Sequence, residues 1–171
     1  PASDPRIVEV ASPEIVLAGF GAFVRSRLSC RVIGITGSIG KTTAKDLLAA
    51  LLASQYRTVK APASFNNHLG VPLTLSQADA RTEMLVAELG ANHPGEIASL
   101  ASCLKPDDGV IVEIAPVHLE GFGSLDGVVE AKGELAEALP EHGRLFLDAA
   151  IYGKERFVER ARCRVDRKSV V

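Results

Sequence analysis

The stretch Val32-Ile33-Gly34-Ile35-Thr36-Gly37-Ser38-Ile39-Gly40-Lys41-Thr42-Thr43 constrains the fold most, because an apolar run passes directly into a glycine-rich turn and then into helical spacing. Val32, Ile33 and Ile35 suit a buried strand, whereas Ala44, Leu47, Leu48, Leu51 and Leu52 recur as on a helix. The turn between them predicts a phosphate loop. Gly37 and Gly40 let backbone N–H groups approach an anion at a helix N-terminus, where unpaired donors and the helix dipole favour negative charge. Lys41 is placed to reach outer phosphates, and the Thr42 hydroxyl to ligate a phosphate-bound Mg²⁺. Ile35 occupies the first glycine of the strict G-x-x-x-x-G-K-[S/T] pattern, so the loop is a variant.

A chain of 171 residues is long enough for one domain with a substantial core. Its formal net charge of −2 and lack of aromatic–basic interleaving argue against nucleic acid as a partner. No run reaches the length of a membrane span, so a cytoplasmic protein is expected. The start at Pro1, without initiator methionine or signal pattern, suggests a piece of a longer chain. Cys30, Cys103 and Cys163 are too widely spaced for a metal pair and odd in number, which predicts buried thiols.

Along the chain, residues 1–28 read as a linker followed by a leading helix, with Ser12 as N-cap and Pro13 in its first turn. Residues 29–171 read as one domain. Its strands are expected at 56–60, 84–89, 109–114 and 144–147, besides the one before the phosphate loop. Helices are expected from 69 to 75, up to about 104, from 125 to 139 and from 152 to 162, and residues 115–124 read as a long loop. Alternating strands and helices predict an α/β fold, a mostly parallel sheet with helices on both faces and ligands at the strands' carboxyl ends.

Three side chains fit a structural role poorly. Glu88 closes an apolar strand on the edge of the phosphate loop, either as a solvated acid or as an oxygen ligand for a hard cation. His118 lies in the loop after the next strand, on the same edge, as a surface residue or a site residue. Lys132 falls at the centre of the stripe Leu125, Val128, Val129, Leu135, Ala136 and Leu139, while Glu130 and Glu134 point away. A lysine so placed either snorkels to water or has a partner.

These segments together resemble the central ATPase domain of the Mur ligases. The resemblance rests on residues 36–43, Phe65 to Leu75, Glu88 to Ile97, Ala115 to Ser124 and Ala131-Lys132-Gly133-Glu134. It implies a P-loop-type fold, with ATP held by Gly37, Ser38, Ile39, Gly40, Lys41, Thr42 and Thr43. Lys41, Lys132 and His118 become catalytic positions and Asn66 and Asn67 substrate-binding ones. The metal set becomes Thr42, Glu88, His118 and Lys132, with Lys132 carbamylated in the full-length enzyme. Without the flanking domains, Lys132 would be left exposed and unmodified.

Within the family, the blocks are most similar to members that join D-alanyl-D-alanine to a UDP-muramoyl tripeptide through an acyl phosphate. The resemblance implies further domains for the UDP-sugar and for the amine, both outside this chain, and a central domain that continues past Val171. A monomer is expected. Two positions at the nucleotide depart from the family pattern, since Glu113 and Asp148 stand where asparagines are usual. They keep open a degenerate nucleotide-binding module without ligase activity, beside a ligase with another peptide substrate.

Overall fold

The computed structural model describes residue 7 and residues 9–168, so the expected linker lies largely outside the described residues. Six strands form a single all-parallel sheet in the order β2-β3-β1-β4-β5-β6: β1 Arg31–Thr36, β2 Thr58–Lys60, β3 Met84–Glu88, β4 Asp108–Ile111, β5 Arg144–Asp148 and β6 Arg164–Lys168. Among the described residues, seven helices connect and cover them: α1 Pro13–Arg27, α2 Lys41–Ala53, α3 Gly70–Leu75, α4 Glu96–Leu104, α5 Leu119–Phe122, α6 Leu125–Ala138 and α7 Lys154–Arg160.

Side chains alternate between two cores, as strand geometry requires. Val32, Leu85, Ala87, Ile111 and Leu145 face the larger core with α3, α4, α6 and Phe157 of α7, while Ile33, Ile35 and Val86 face α2. All three cysteines are buried and free. Among the described residues no helix is long and apolar enough to cross a membrane.

Several elements differ from the sequence expectation. The strand expected over 109–114 ends at Ile111, and beyond it Glu113 makes a lone antiparallel bridge with Ile39 of the phosphate loop. The loop over 115–124 contains α5, a single turn anchored by buried Phe122. β6 was not expected, because Arg164-Val165-Asp166-Arg167-Lys168 contains one apolar residue and forms the sheet edge, where charge is tolerated. In α2 the buried line runs through Lys45 and Ala49, with Ala44, Leu48 and Leu52 beside it, so Leu47 and Leu51 face solvent. The helix is rotated from the expected stripe because two overlapping leucine series, 47/51 and 48/52, fit helical spacing equally well.

At the amino ends of the strands, two adjacent aspartates hold the sheet together. Asp107 accepts from Val32 N (2.7 Å) and Arg25, and Asp108 accepts from Arg144 N (2.9 Å) and twice from Arg31. The Arg31 guanidinium is half exposed, which weakens its electrostatic contribution, so the backbone bond to Arg144 carries most of the penalty if Asp108 is lost. Asp108→Ala should lower unfolding stability by about 2 kcal/mol in a urea titration, and an unchanged midpoint would contradict this account of the sheet base.

Candidate functional site

The phosphate loop leaves β1 at Gly37 (φ 145°) and enters α2 at Gly40 (φ 84°), both in backbone regions that favour glycine. A Cβ on Gly37 would lie 2.4 Å from Val112 Cγ2, so the loop runs tightly against the chain after β4. Ser38 fixes that contact by donating from N to Glu113 O (2.7 Å) and from Oγ to Ala115 O (3.0 Å). Among the described residues no side chain caps the N-terminus of α2, leaving its dipole open to an anion. Lys41 folds over the loop, with Nζ donating to Gly37 O (2.9 Å) and Ser38 O (3.2 Å). Burial holds its pKa below the usual lysine range, and Glu88 opposes that shift.

Parallel register places Ile35 opposite Glu88, so β3 ends beside the loop. There the Thr42 hydroxyl donates to Glu88 Oε2 (2.9 Å), and the Asn66 amide donates to Oε1 (2.8 Å). Glu88 is therefore buried but fully oriented. Asn67 takes a different part from Asn66, its Oδ1 accepting from Leu69 N and Gly70 N (2.9 Å) at the start of α3.

A cavity of about 510 Å³ opens beside this arrangement, lined by Gly37, Ser38, Lys41, Asn66, Asn67, His118 and Lys132 among others. His118 enters it in a left-handed conformation (φ 50°) as the residue that begins α5. Glu113 and Asp148 do not line this cavity. They flank a second one of about 380 Å³ with Val112, Phe146 and Asp166, on the sheet face that α2 covers elsewhere.

Lys132 neither snorkels nor stands exposed. It is 1% exposed, because Phe122 of α5 closes over it: Nζ lies 5.3 Å from the ring centroid and donates one long bond to Ala91 O (3.4 Å). Burial pushes its pKa down to about 8, helped by the positive Lys41 and opposed by Glu134 and Glu96.

Sequence reasoning missed the side chains that hold the cavity's far wall. Glu134, expected to point away, accepts from Gly95 N (2.6 Å) and Ala98 N (2.8 Å) at the start of α4, and Glu96 accepts from Asn92 N (2.7 Å). The spacing Asn92-His93-Pro94-Gly95-Glu96 before an apolar run was the available signal for the second of these.

Among the described residues no three His, Cys, Asp or Glu side chains converge as a metal cage. The hard oxygens of Thr42 and Glu88 beside a phosphate loop instead suit Mg²⁺, which keeps waters and takes its remaining ligands from substrate phosphates. The pattern of the Mur ligase middle domain matches residues 35–167. The chain belongs to the Mur ligase family.

Among its relatives, the UDP-N-acetylmuramoyl-tripeptide–D-alanyl-D-alanine ligase of Escherichia coli K12 is 40% identical over 145 residues, covering 85% of this chain and 32% of that protein. A MurF structure from Acinetobacter baumannii superposes with a TM-score of 0.89 at 31% identity, covering 94% of this chain and 36% of that one. A MurF ligase from Thermotoga maritima, solved in complex with ADP, gives 0.86 at 30% identity over 98% and 39%. This Mur ligase chain thus spans about a third of the length of the relatives it matches.

The burial of Lys132 sets a pH dependence. The unfolded chain binds the lysine's proton up to about 10.5 and the folded chain only to about 8, so between these values unfolding takes up a proton and stability rises with pH. Lys132→Met should remove a gain of roughly 3 kcal/mol across that window relative to the unchanged chain. Denaturant titrations of both proteins from pH 7 to pH 11 measure it, and parallel profiles would show that the lysine is not confined as described.

Proposed function

We propose that this chain is the ATP-binding core of a cytoplasmic ligase that joins D-alanyl-D-alanine to a UDP-N-acetylmuramoyl tripeptide through an acyl phosphate, in peptidoglycan synthesis. The observation that carries the reading is the meeting of Lys41, Asn66, His118 and Lys132 on one cavity beside an uncapped helix N-terminus. Relatives whose names state that reaction support the choice of substrates.

In this reading the backbone from Gly37 to Thr43 cradles the polyphosphate, and Lys41 exchanges its two carbonyl partners for the outer phosphates. Thr42 and Glu88 hold the metal, with Asn66 keeping the carboxylate aimed and His118 lining the adjoining cavity that Asn66 and Lys41 also line. Bound Mg²⁺ supplies neutralisation of phosphate charge as the terminal phosphoryl group is transferred. The lowered pKa of Lys132 leaves more neutral amine to attack carbon dioxide, losing a proton and forming a carbamate anion in place of a cation. Asn67 orders the loop at the substrate end, and the groove at Glu113 and Asp148 receives the nucleoside.

A nucleotide-binding module without ligase activity is the second reading. It is favoured by the carboxylates Glu113, Asp148 and Asp166 around that groove, which oppose an anionic nucleotide with charge of the same sign. Both readings require the phosphate loop, and catalysis separates them.

The complete gene product should release ADP from ATP only when both the UDP-muramoyl tripeptide and D-alanyl-D-alanine are present. Lys41→Ala should weaken Mg-ATP binding by more than the ~1 kcal/mol of an exposed ion pair in a calorimetric titration. Lys132→Ala should abolish ligation and recover part of it with added short carboxylic acids. Tight Mg-ATP binding with no substrate-dependent ADP release would establish the second reading, and equal affinity in Lys41→Ala would sink the phosphate-loop assignment.

A further inference from the structure

Among the described residues, one of the largest fully buried side chains outside the cavity is Lys45, one turn after Lys41 on α2. An ammonium withdrawn from water is costly unless it is well paired, and a helix position among Ala44, Leu48 and Ala49 could accommodate an alanine or leucine instead. Its partners are the Ala63 carbonyl, to which Nζ donates, and Asp46, whose Oδ1 lies 3.5 Å away and is shared with Lys60. Ala63 is one of three non-glycine residues with positive φ (42°) among those described, so its carbonyl is presented to Lys45 by a backbone turn that alanine rarely adopts.

Three residues further on, the same loop delivers Asn66, whose amide holds Glu88 Oε1, while Glu88 Oε2 accepts from Thr42 on the first turn of α2. The loop and the helix are therefore joined twice, at Lys45–Ala63 and through Thr42–Glu88–Asn66. The Asn66 backbone adds a further link by accepting from Gly90 N (2.8 Å), just past the end of β3.

We propose that Lys45 is a positioning residue for the metal site: by pinning the Ala63 carbonyl to α2 it sets the loop at the height where Asn66 aims the Glu88 carboxylate. Lys45 does not line the cavity. This inference rests on the proposed Mg-ATP site. It predicts an effect confined to the magnesium-dependent part of nucleotide binding, because the phosphate loop itself is built without Lys45.

The test measures affinity for a non-hydrolysable ATP analogue, with and without magnesium chloride, in the complete gene product and in its Lys45→Met, Lys45→Arg and Asn66→Ala variants. Lys45→Met should bind the analogue normally without metal and lose about tenfold of the gain that magnesium confers, the scale expected for a residue supporting a metal ligand from behind. Lys45→Arg, which keeps a donor, should recover part of the gain. Lys45→Met combined with Asn66→Ala should lose no more than Asn66→Ala alone, since both act on one carboxylate. Should Lys45→Met fail to fold, Lys45→Leu, which likewise lacks a donor, carries the same comparison. A full magnesium gain in the methionine or leucine variant, beside an intact wild type, overturns the inference alone, as does equal loss with and without metal. No magnesium gain in the wild type overturns the underlying site and the inference with it.

Discussion

Parallel pairing of β1 with both β3 and β4 is the constraint on which the rest of the molecule depends. It brings the carboxyl ends of three strands to one edge, so that a loop leaving β1, a carboxylate closing β3 and a histidine after β4 all lie along that edge. Each of these residues is unremarkable in its own segment. The shared edge makes them neighbours, and the aspartates at the opposite ends tie the strand bases together.

Two buried lysines show how differently one side chain can be accommodated. Lys45 meets a strained carbonyl and a carboxylate that also serves Lys60, and its role is to hold backbone in place. Lys132 meets one distant carbonyl and an aromatic face, which leaves much of its hydrogen-bonding capacity unused. The difference lies in the pairing, since the first ammonium meets two oxygens and the second only one at hydrogen-bond range.

Legibility followed locality. The phosphate loop and the stripe around Lys132 were readable because glycine spacing and helical period express themselves within a dozen residues. Lys45 was hidden by the paired leucines 47/48 and 51/52, which leave the phase of α2 ambiguous until a sheet lies beneath it. β6 lacked an apolar pattern because an edge strand borrows its order from its neighbour. The capping work of Asn67 and Glu134 was obscured for different reasons. A cap three residues ahead of its helix, inside a polar loop, resembles any other loop asparagine, and a glutamate that caps another helix carries no signature in its own.

The two ends of helices near the cavity are also treated unequally. The start of α4 has its backbone donors claimed in advance, by Glu134 at Gly95 and Ala98 and by Glu96 at Asn92 and His93 (3.3 Å). The start of α2 has no such carboxylate. An incoming anion is thus refused at one helix end and admitted at the other, so the polarity with which a long, charged guest lies in the cleft is decided before it makes any contact of its own.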